Sequence, residues 1–266
     1  MNQTKIKTLA TAFIMSVAMT ATAQTAGLSQ TDNKAETANP KQNKIFKMSK
    51  LYMGWTVGEW TGKDFKDGKF SSDGMEGYAK NKPLYSFHIE GVTDFYFSKN
   101  LYAGYGLGYS RTGFKREETF GSGQSWNDEG ANYDGKTSTT VTLHKIVLPF
   151  HFGGYYKFNP KLKIYAEGGP YLSYTIKGKA KKNGYLTTHE DIHSGEKEYI
   201  NEKDHLGEGK LAGYRRFTFG LSAAAGVSFH GFLFQFTYQR GLSKAIKGTK
   251  QYEQNLMFSL GHEMRL

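Results

Sequence analysis

The chain has 266 residues, among them 32 Gly, 5 Pro, 18 Tyr, 19 Phe, 3 Trp and no Cys, and a formal charge of +11. A cysteine-free chain cannot be a disulfide scaffold, the aromatic content excludes a fully disordered chain, and a single long apolar run, at the N-terminus, excludes a bundle of membrane helices. A glycine- and aromatic-rich β protein remains.

Residues 1–23 place Lys5 and Lys7 ahead of an apolar stretch from Thr8 to Met19, and close on Ala21-Thr22-Ala23. A basic n-region, a short apolar h-region and a small-x-small site read as a secretory signal peptide, expected to be cleaved after Ala23 and too short to span a bilayer. Residues 24–46 are polar without an apolar period and read as a flexible periplasmic tail. The domain proper is expected over 47–266.

Within it, eight segments alternate with a period of two, near 48–58, 86–97, 100–115, 138–158, 161–176, 215–229, 231–243 and 252–266. Ser98-Lys99-Asn100, Asn159-Pro160 and His230-Gly231 are tight connections with turn chemistry. The others, about 59–85, 116–137, 177–214 and 244–251, are long. Short and long connections alternate strictly. That pattern predicts an all-β fold, an eight-stranded antiparallel up-and-down transmembrane β-barrel with both chain ends on the short-turn side.

The two faces of each segment differ. Leu162, Ile164, Ala166, Leu172 and Tyr174 oppose Lys163, Tyr165, Glu167, Tyr171 and Ser173, and Phe232, Phe234 and Phe236 oppose Leu233, Gln235 and Thr237. Gly104, Gly106, Gly108, Gly153, Gly169, Gly220, Gly226 and Gly261 fall on the polar face. One face is bulky and apolar and the other small or polar, which is expected when lipid is the outer solvent and the lumen is narrow. Tyr52, Trp55, Tyr109, Tyr155, Tyr156, Tyr174 and Tyr238 suit interfacial girdles or lumen filling.

The stretch Ile146–Lys181, with Leu148-Pro149-Phe150 followed by Glu167-Gly168-Gly169-Pro170-Tyr171, resembles the Bacteroidota-type outer-membrane β-barrel proteins known as porin family or PorT-like. Phe219–Ala245, with Tyr238, Gly241 and Leu242, and the terminal LMFSLGHEMRL extend the resemblance over roughly 48–266. Val147 and Leu148 stand where members often carry an acid, and the last residue is Leu266 rather than an aromatic. The resemblance implies a cell outer membrane location in a Gram-negative envelope and leaves the activity open. The PorT-like label suggests an accessory role in a protein secretion machine.

Glu90, Asp94, Lys145, His151, Lys163, Glu167, Arg216, Glu263 and Arg265 are expected in the lumen, as a network of mutually paired charges or, alternatively, as a narrow conducting path. Arg111, Lys115, Arg116, Lys177, Lys179, Arg215, Arg240 and Lys244 gather at the expected extracellular strand ends. There they would meet the phosphates of outer-membrane lipid including lipopolysaccharide, or act as solubilising charge. His189-Glu190-Asp191-Ile192-His193 lacks a third ligand for a defined metal site and reads as a solvated loop. Ser110, His144 and Ser173 do not converge with an acid in sequence, so no catalytic residue, metal or cofactor is expected. Membrane protein partners are compatible with this reading and nucleic acid is not expected. The chain is expected to be a non-enzymatic outer-membrane barrel acting through its loops, through anchoring or through narrow permeation. The alternatives are the secretion accessory, an enzyme acting on lipid, and a soluble lipocalin-like binder.

Overall fold

The computed structural model describes residues 46–63, 65–72, 75–121, 132–191 and 194–265. The signal peptide and almost all of the tail lie outside these residues. Among the described residues there are ten strands: β1 (Phe46–Gly62), β2 (Gly68–Ser72), β3 (Met75–Tyr96), β4 (Leu101–Phe120), β5 (Asn132–Asn159), β6 (Leu162–Asp191), β7 (Ser194–His205), β8 (Phe217–Phe229), β9 (Phe232–Gly241) and β10 (Gln251–Arg265). Eight of them close a ring in the order β1, β10, β9, β8, β6, β5, β4, β3 and back to β1. Each pair in the ring is antiparallel. Closure removes the free edges of a sheet. The eight-stranded up-and-down barrel read from the alternation is the fold observed.

Three short turns define one rim. Ser98 Oγ accepts from the amides of Asn100 and Leu101, and Asn159 Oδ1 accepts from those of Lys161 and Leu162. His230 and Gly231 both take positive φ, 53° and 87°. That is the two-residue turn whose twist matches the flanking strands, and glycine adopts it without Cβ strain.

The long connections differ from expectation. Most of the described residues in 59–85, 116–137 and 177–214 are strand rather than loop: β5 and β6 run 28 and 30 residues, where a membrane strand needs about 9–11. These extensions are rich in Thr, Lys and Asn, so they carry no apolar stripe to announce them. Their strand character comes from β-branched residues and from pairing with neighbours. β2 pairs with β3 and β7 with β6 outside the ring. Together β2, β3, β4, β5, β6 and β7 form a continuous six-stranded sheet standing beyond the barrel.

Burial settles which face looks where. Trp55 is 64% exposed and Phe87, Phe152, Ile164, Phe219, Phe234 and Phe258 are exposed beside it, whereas Asp94 and Thr56 on the opposite face are 0% exposed. The apolar side looks outward. On β4 it runs from Leu101 to Tyr109 and on β6 from Ile164 to Tyr174, about the height of a hydrocarbon core for a tilted strand.

Glycines give the lumen its room. Tyr52 lies opposite Gly261, Tyr102 opposite Gly153, Tyr165 opposite Gly226 and Tyr171 opposite Gly220. In each pair a Cβ on the glycine would run into the tyrosine ring. Large rings on one strand therefore need bare backbone on the next. Tyr52, a girdle candidate by sequence, is one of these lumen fillers, 2% exposed.

Candidate functional site

The lumen is layered. Nearest the short turns, Lys50 Nζ lies 2.7 Å from Asp94 Oδ2, and His151 Nε2 lies 2.8 Å from Asp94 Oδ1. Tyr102 donates to Glu167 Oε2 at 2.8 Å, with Lys50 Nζ 3.9 Å from the same oxygen and 4.8 Å from the Tyr102 ring. Lys163 pairs with Glu263 at 2.6 Å. Midway, His88 bridges Thr56 and Ser259 at 3.1 and 2.8 Å. Glu90 faces a cavity of about 30 Å³ beside His88, His151 and Gln239. That is room for about two waters and not for a channel. Higher still, Lys145 pairs with Glu253, and Tyr214 donates to the other Glu253 oxygen at 2.6 Å.

Above Tyr214 the interior turns apolar. Trp60, Phe65, Phe114, Val141, Leu143, Ala180, Leu211 and Ala245 form one buried cluster with it. Trp60 and Phe65 pack on Phe114 at centroid distances of 4.4 and 4.6 Å. Leu211 and Tyr214 come from the segment between β7 and β8, Ala245 from that between β9 and β10. These segments fold inward and roof the lumen.

The placement of the expected lumen residues is therefore mixed. Glu90, Asp94, Lys145, His151, Lys163, Glu167 and Glu263 line it. Arg216 does not: it lies exposed just before β8, because the strand begins only at Phe217. The backbone of Arg265 pairs with Met48, and its side chain is outside the described residues. Lys50, His88 and Glu253 complete the network. They sit at alternate positions of β1, β3 and β10, so strict parity would have found them.

The basic residues divide too. Arg111, Lys115, Lys177 and Lys179 share the outer face of the long sheet, Arg111 and Lys177 just beyond the Tyr109–Ile146–Tyr174 row, Lys179 one step further and Lys115 four residues beyond Arg111. Arg116 turns to the inner face, where it bonds Glu118 at 2.8 Å and lies over Phe65. β4 alternates, so Lys115 and Arg116 cannot share a face. Arg215, Arg240 and Lys244 are exposed elsewhere on the rim.

Glu117 sits between Lys82 and Lys115, at 2.7 and 3.0 Å. Hydrogen bonds from those two ammonium groups, Lys82 first, hold its carboxyl down at about 2. A carboxyl ¹³C titration is expected to give that midpoint, rising toward the ordinary carboxylate range in Lys82→Gln/Lys115→Gln. The pairing supports the fold above that ordinary range and is lost as the pH falls toward 2.

Ser110 and Ser173 point into the lumen, Ser173 bonded to Thr218 at 2.6 Å, while His144 faces outward with Tyr109. Ser110 and His144 thus lie on opposite sides of the wall. The Asp94–His151 pair lies at the short-turn end, covered by Lys50. The side chains of His189, Glu190, Asp191 and His193 lie outside the described residues.

Residues 25–247 match the family described as outer membrane protein beta-barrel domain. The chain belongs to that family. Membership places this outer-membrane barrel in an outer membrane, in keeping with its exposed apolar band. No curated protein is similar to it in sequence. Among solved structures it is similar to OprG of Pseudomonas aeruginosa, at 11% identity, 84% of this chain, 98% of that one and a TM-score of 0.37. Ail, the attachment invasion locus protein of Yersinia pestis, is 14% identical over 83% of this chain and 100% of its own, at a TM-score of 0.33. The outer membrane protease OmpT of Escherichia coli is 10% identical over 83% of this chain and 97% of its own, at a TM-score of 0.31.

Proposed function

We propose that this outer-membrane barrel is non-enzymatic and closed, and that it works through the sheet it raises above the membrane rather than through a pore. The carrying observation is the filled lumen: paired charges and tyrosines below, and a roof of Trp60, Phe65, Phe114 and Leu211 above. An ion crossing it would have to break buried pairs and then pass an apolar seal, both costly in a low-dielectric interior. The short-turn rim is then periplasmic and the long sheet extracellular. The lowest basic row, Arg111 and Lys177 with Lys179 one step up, pairs with lipopolysaccharide phosphates beside the tyrosine girdle. The chain reaches the membrane through a signal peptide cleaved after Ala23.

Planar-bilayer recording on refolded protein tests this, with heat-modifiable gel migration as the check of folding. No stepwise current is expected. Reproducible unitary steps from the folded wild type would overturn the reading.

A second reading is the secretion accessory of a Bacteroidota-type, PorT-like branch. The two stretches that carry that resemblance lie against each other, Pro149 opposite Tyr171. A membrane protein that co-purifies in stoichiometric amount would support it.

A further inference from the structure

The outer face of the long sheet carries an ordered array of positive charge that the barrel itself does not use. One register row runs Lys82, Lys115, Thr140, Lys181, Lys203 across β3, β4, β5, β6 and β7. The next row out is Lys80, Glu117, Ser138, Asn183, Asn201, and the one beyond is Tyr78, Thr119, Lys136, Tyr185, Tyr199. Among these three rows Glu117 is the one acid, and two lysines already share it.

Two features make this more than a solvated surface. Lys82 faces Lys115 directly, and Lys181 faces Lys203. Like charges directly opposite destabilise a sheet. Glu117 offsets the first pair by bridging both ammonium groups, whereas no acid stands in the three rows beside Lys181 and Lys203, and that pair works against the fold. Charge is also sorted by side. In β7, Lys197 and Lys203 take the outer parity, while Glu198 and Glu202 take the inner one. An unselected charged strand would mix the two signs on each face.

We propose that this face binds an extended anionic glycan, a sugar chain bearing sulfate, phosphate or carboxylate groups, laid across the strands. Neighbouring strands are about 4.8 Å apart, so the lysine row spans about 19 Å, enough for several consecutive charged sugars. Thr140, Ser138, Asn183 and Asn201 stand between the lysines. Their hydroxyls and amides both donate and accept, which suits sugar hydroxyls better than a phosphodiester backbone, which only accepts. Tyr199, 76% exposed, and Tyr185 pair in register at the top, with Lys197 Nζ 4.4 Å from the Tyr185 ring centroid. They offer a flat apolar surface for a sugar ring.

Height separates this site from the lipid phosphates. Lys115 lies four residues beyond Arg111 and Thr119 eight, about 13 and 26 Å along the strand. Lipid phosphates reach the lowest basic row, while the lysine and tyrosine rows stand clear of it.

The test uses full-length mature protein in phosphatidylcholine nanodiscs, free of lipopolysaccharide. Dextran sulfate is the probe and neutral dextran the control. Wild-type protein is expected to bind dextran sulfate, losing on the order of 100-fold in affinity between 50 and 200 mM salt for about four neutralised sites, and to ignore neutral dextran. Lys115→Gln/Lys181→Gln/Lys203→Gln is expected to weaken binding about 10-fold or more at 50 mM salt and to flatten the salt slope by about one per lysine. Arg215→Gln/Arg240→Gln/Lys244→Gln removes the same charge elsewhere on the rim and is expected to change affinity less than about twofold. Equal losses in the two triple variants would reduce the effect to net charge and overturn the site. Tighter binding of single-stranded DNA than of dextran sulfate would overturn the glycan assignment, as would binding that appears only once lipopolysaccharide is added. All variants are checked for folding by heat-modifiable migration.

Discussion

Lys145→Met is expected to destabilise the barrel by about 3–5 kcal/mol, because it leaves a carboxylate buried without its counter-charge. Lys145 and Glu253 are 3% and 6% exposed, inside the wall between the tyrosine layer and the apolar roof. With the ammonium gone, Glu253 keeps the Tyr214 hydroxyl as its hydrogen-bond donor, and one neutral donor does not balance an ion in that setting. Lys145→Met/Glu253→Leu is expected to recover most of the loss, since a buried pair replaced by apolar residues of similar volume is often neutral. The remainder is the Tyr214 hydroxyl, which has lost its acceptor but still has Thr175 at 3.2 Å. Adding Tyr214→Phe is expected to bring back part of that. Chemical unfolding in detergent, followed by tryptophan fluorescence, measures all three. Trp60 sits in the adjoining roof and reports on this layer. A single variant costing under about 1 kcal/mol would mean that the two charges are not desolvated together.

The barrel itself was legible because a dyad period and turn residues are local signals. The polar parity of β6 and β9 named the lumen side correctly, while Arg216, given to the lumen by the same alternation, lies just before β8 and is exposed. The extensions were not legible for a related reason. Lys136–Leu143 and Lys177–Thr188 are mostly polar on the outer face, and the inner one mixes small and β-branched residues with Leu143, Lys182 and Leu186, so neither looks like a lipid-facing strand. Only their register against one another makes them sheet, and register is a property of two segments. The roof was hidden in the same way. Trp60 and Phe65, Leu211, and Ala245 come from three separate stretches of chain, and none belongs to an apolar run that would draw attention. Arg116 shows a subtler limit. Beside Lys115 in sequence, it looks like part of one basic cluster, yet alternation puts the two on opposite faces. The lysine row likewise is invisible along the chain, because its members come from four strands and meet only across the ladder.

The sheet and the barrel also divide the charges between them. Inside the membrane height, cations are matched by acids within the lumen: Lys50 with Asp94, Lys145 with Glu253, Lys163 with Glu263. Beyond it, on the outer face, they are largely left over. A narrow lumen cannot tolerate unmatched charge, whereas a wet face can, and a surplus there acts on whatever anions come near. The net positive charge of the chain is thus concentrated where a partner can reach it.

Gly54→Ala and Gly91→Ala are expected to have opposite signs, though both add one methyl to neighbouring membrane strands. Gly54 points into the lumen from β1, opposite Ser259, and a Cβ there would overlap the carbonyl oxygen of Phe258. That atom is backbone in a closed ring. It cannot rotate away as a side chain would, so β1 and β10 must part or the ring must deform. The expected cost exceeds about 3 kcal/mol, seen as loss of the heat-modifiable folded band. Gly91 lies on the outer face of β3, opposite Leu51, where a Cβ would meet nothing within 4 Å. Its φ lies outside the left-handed region, so alanine fits the backbone as it stands. Alanine there restricts the unfolded chain and adds apolar contact with lipid, and is expected to stabilise by about 0.4–1 kcal/mol. The pair separates crowding in a tightly curved lumen from any general effect of replacing strand glycines. If Gly54→Ala folds as well as the wild type, the lumen is wider than this packing of tyrosines against glycines allows, and the closed interior on which the non-conducting reading rests goes with it.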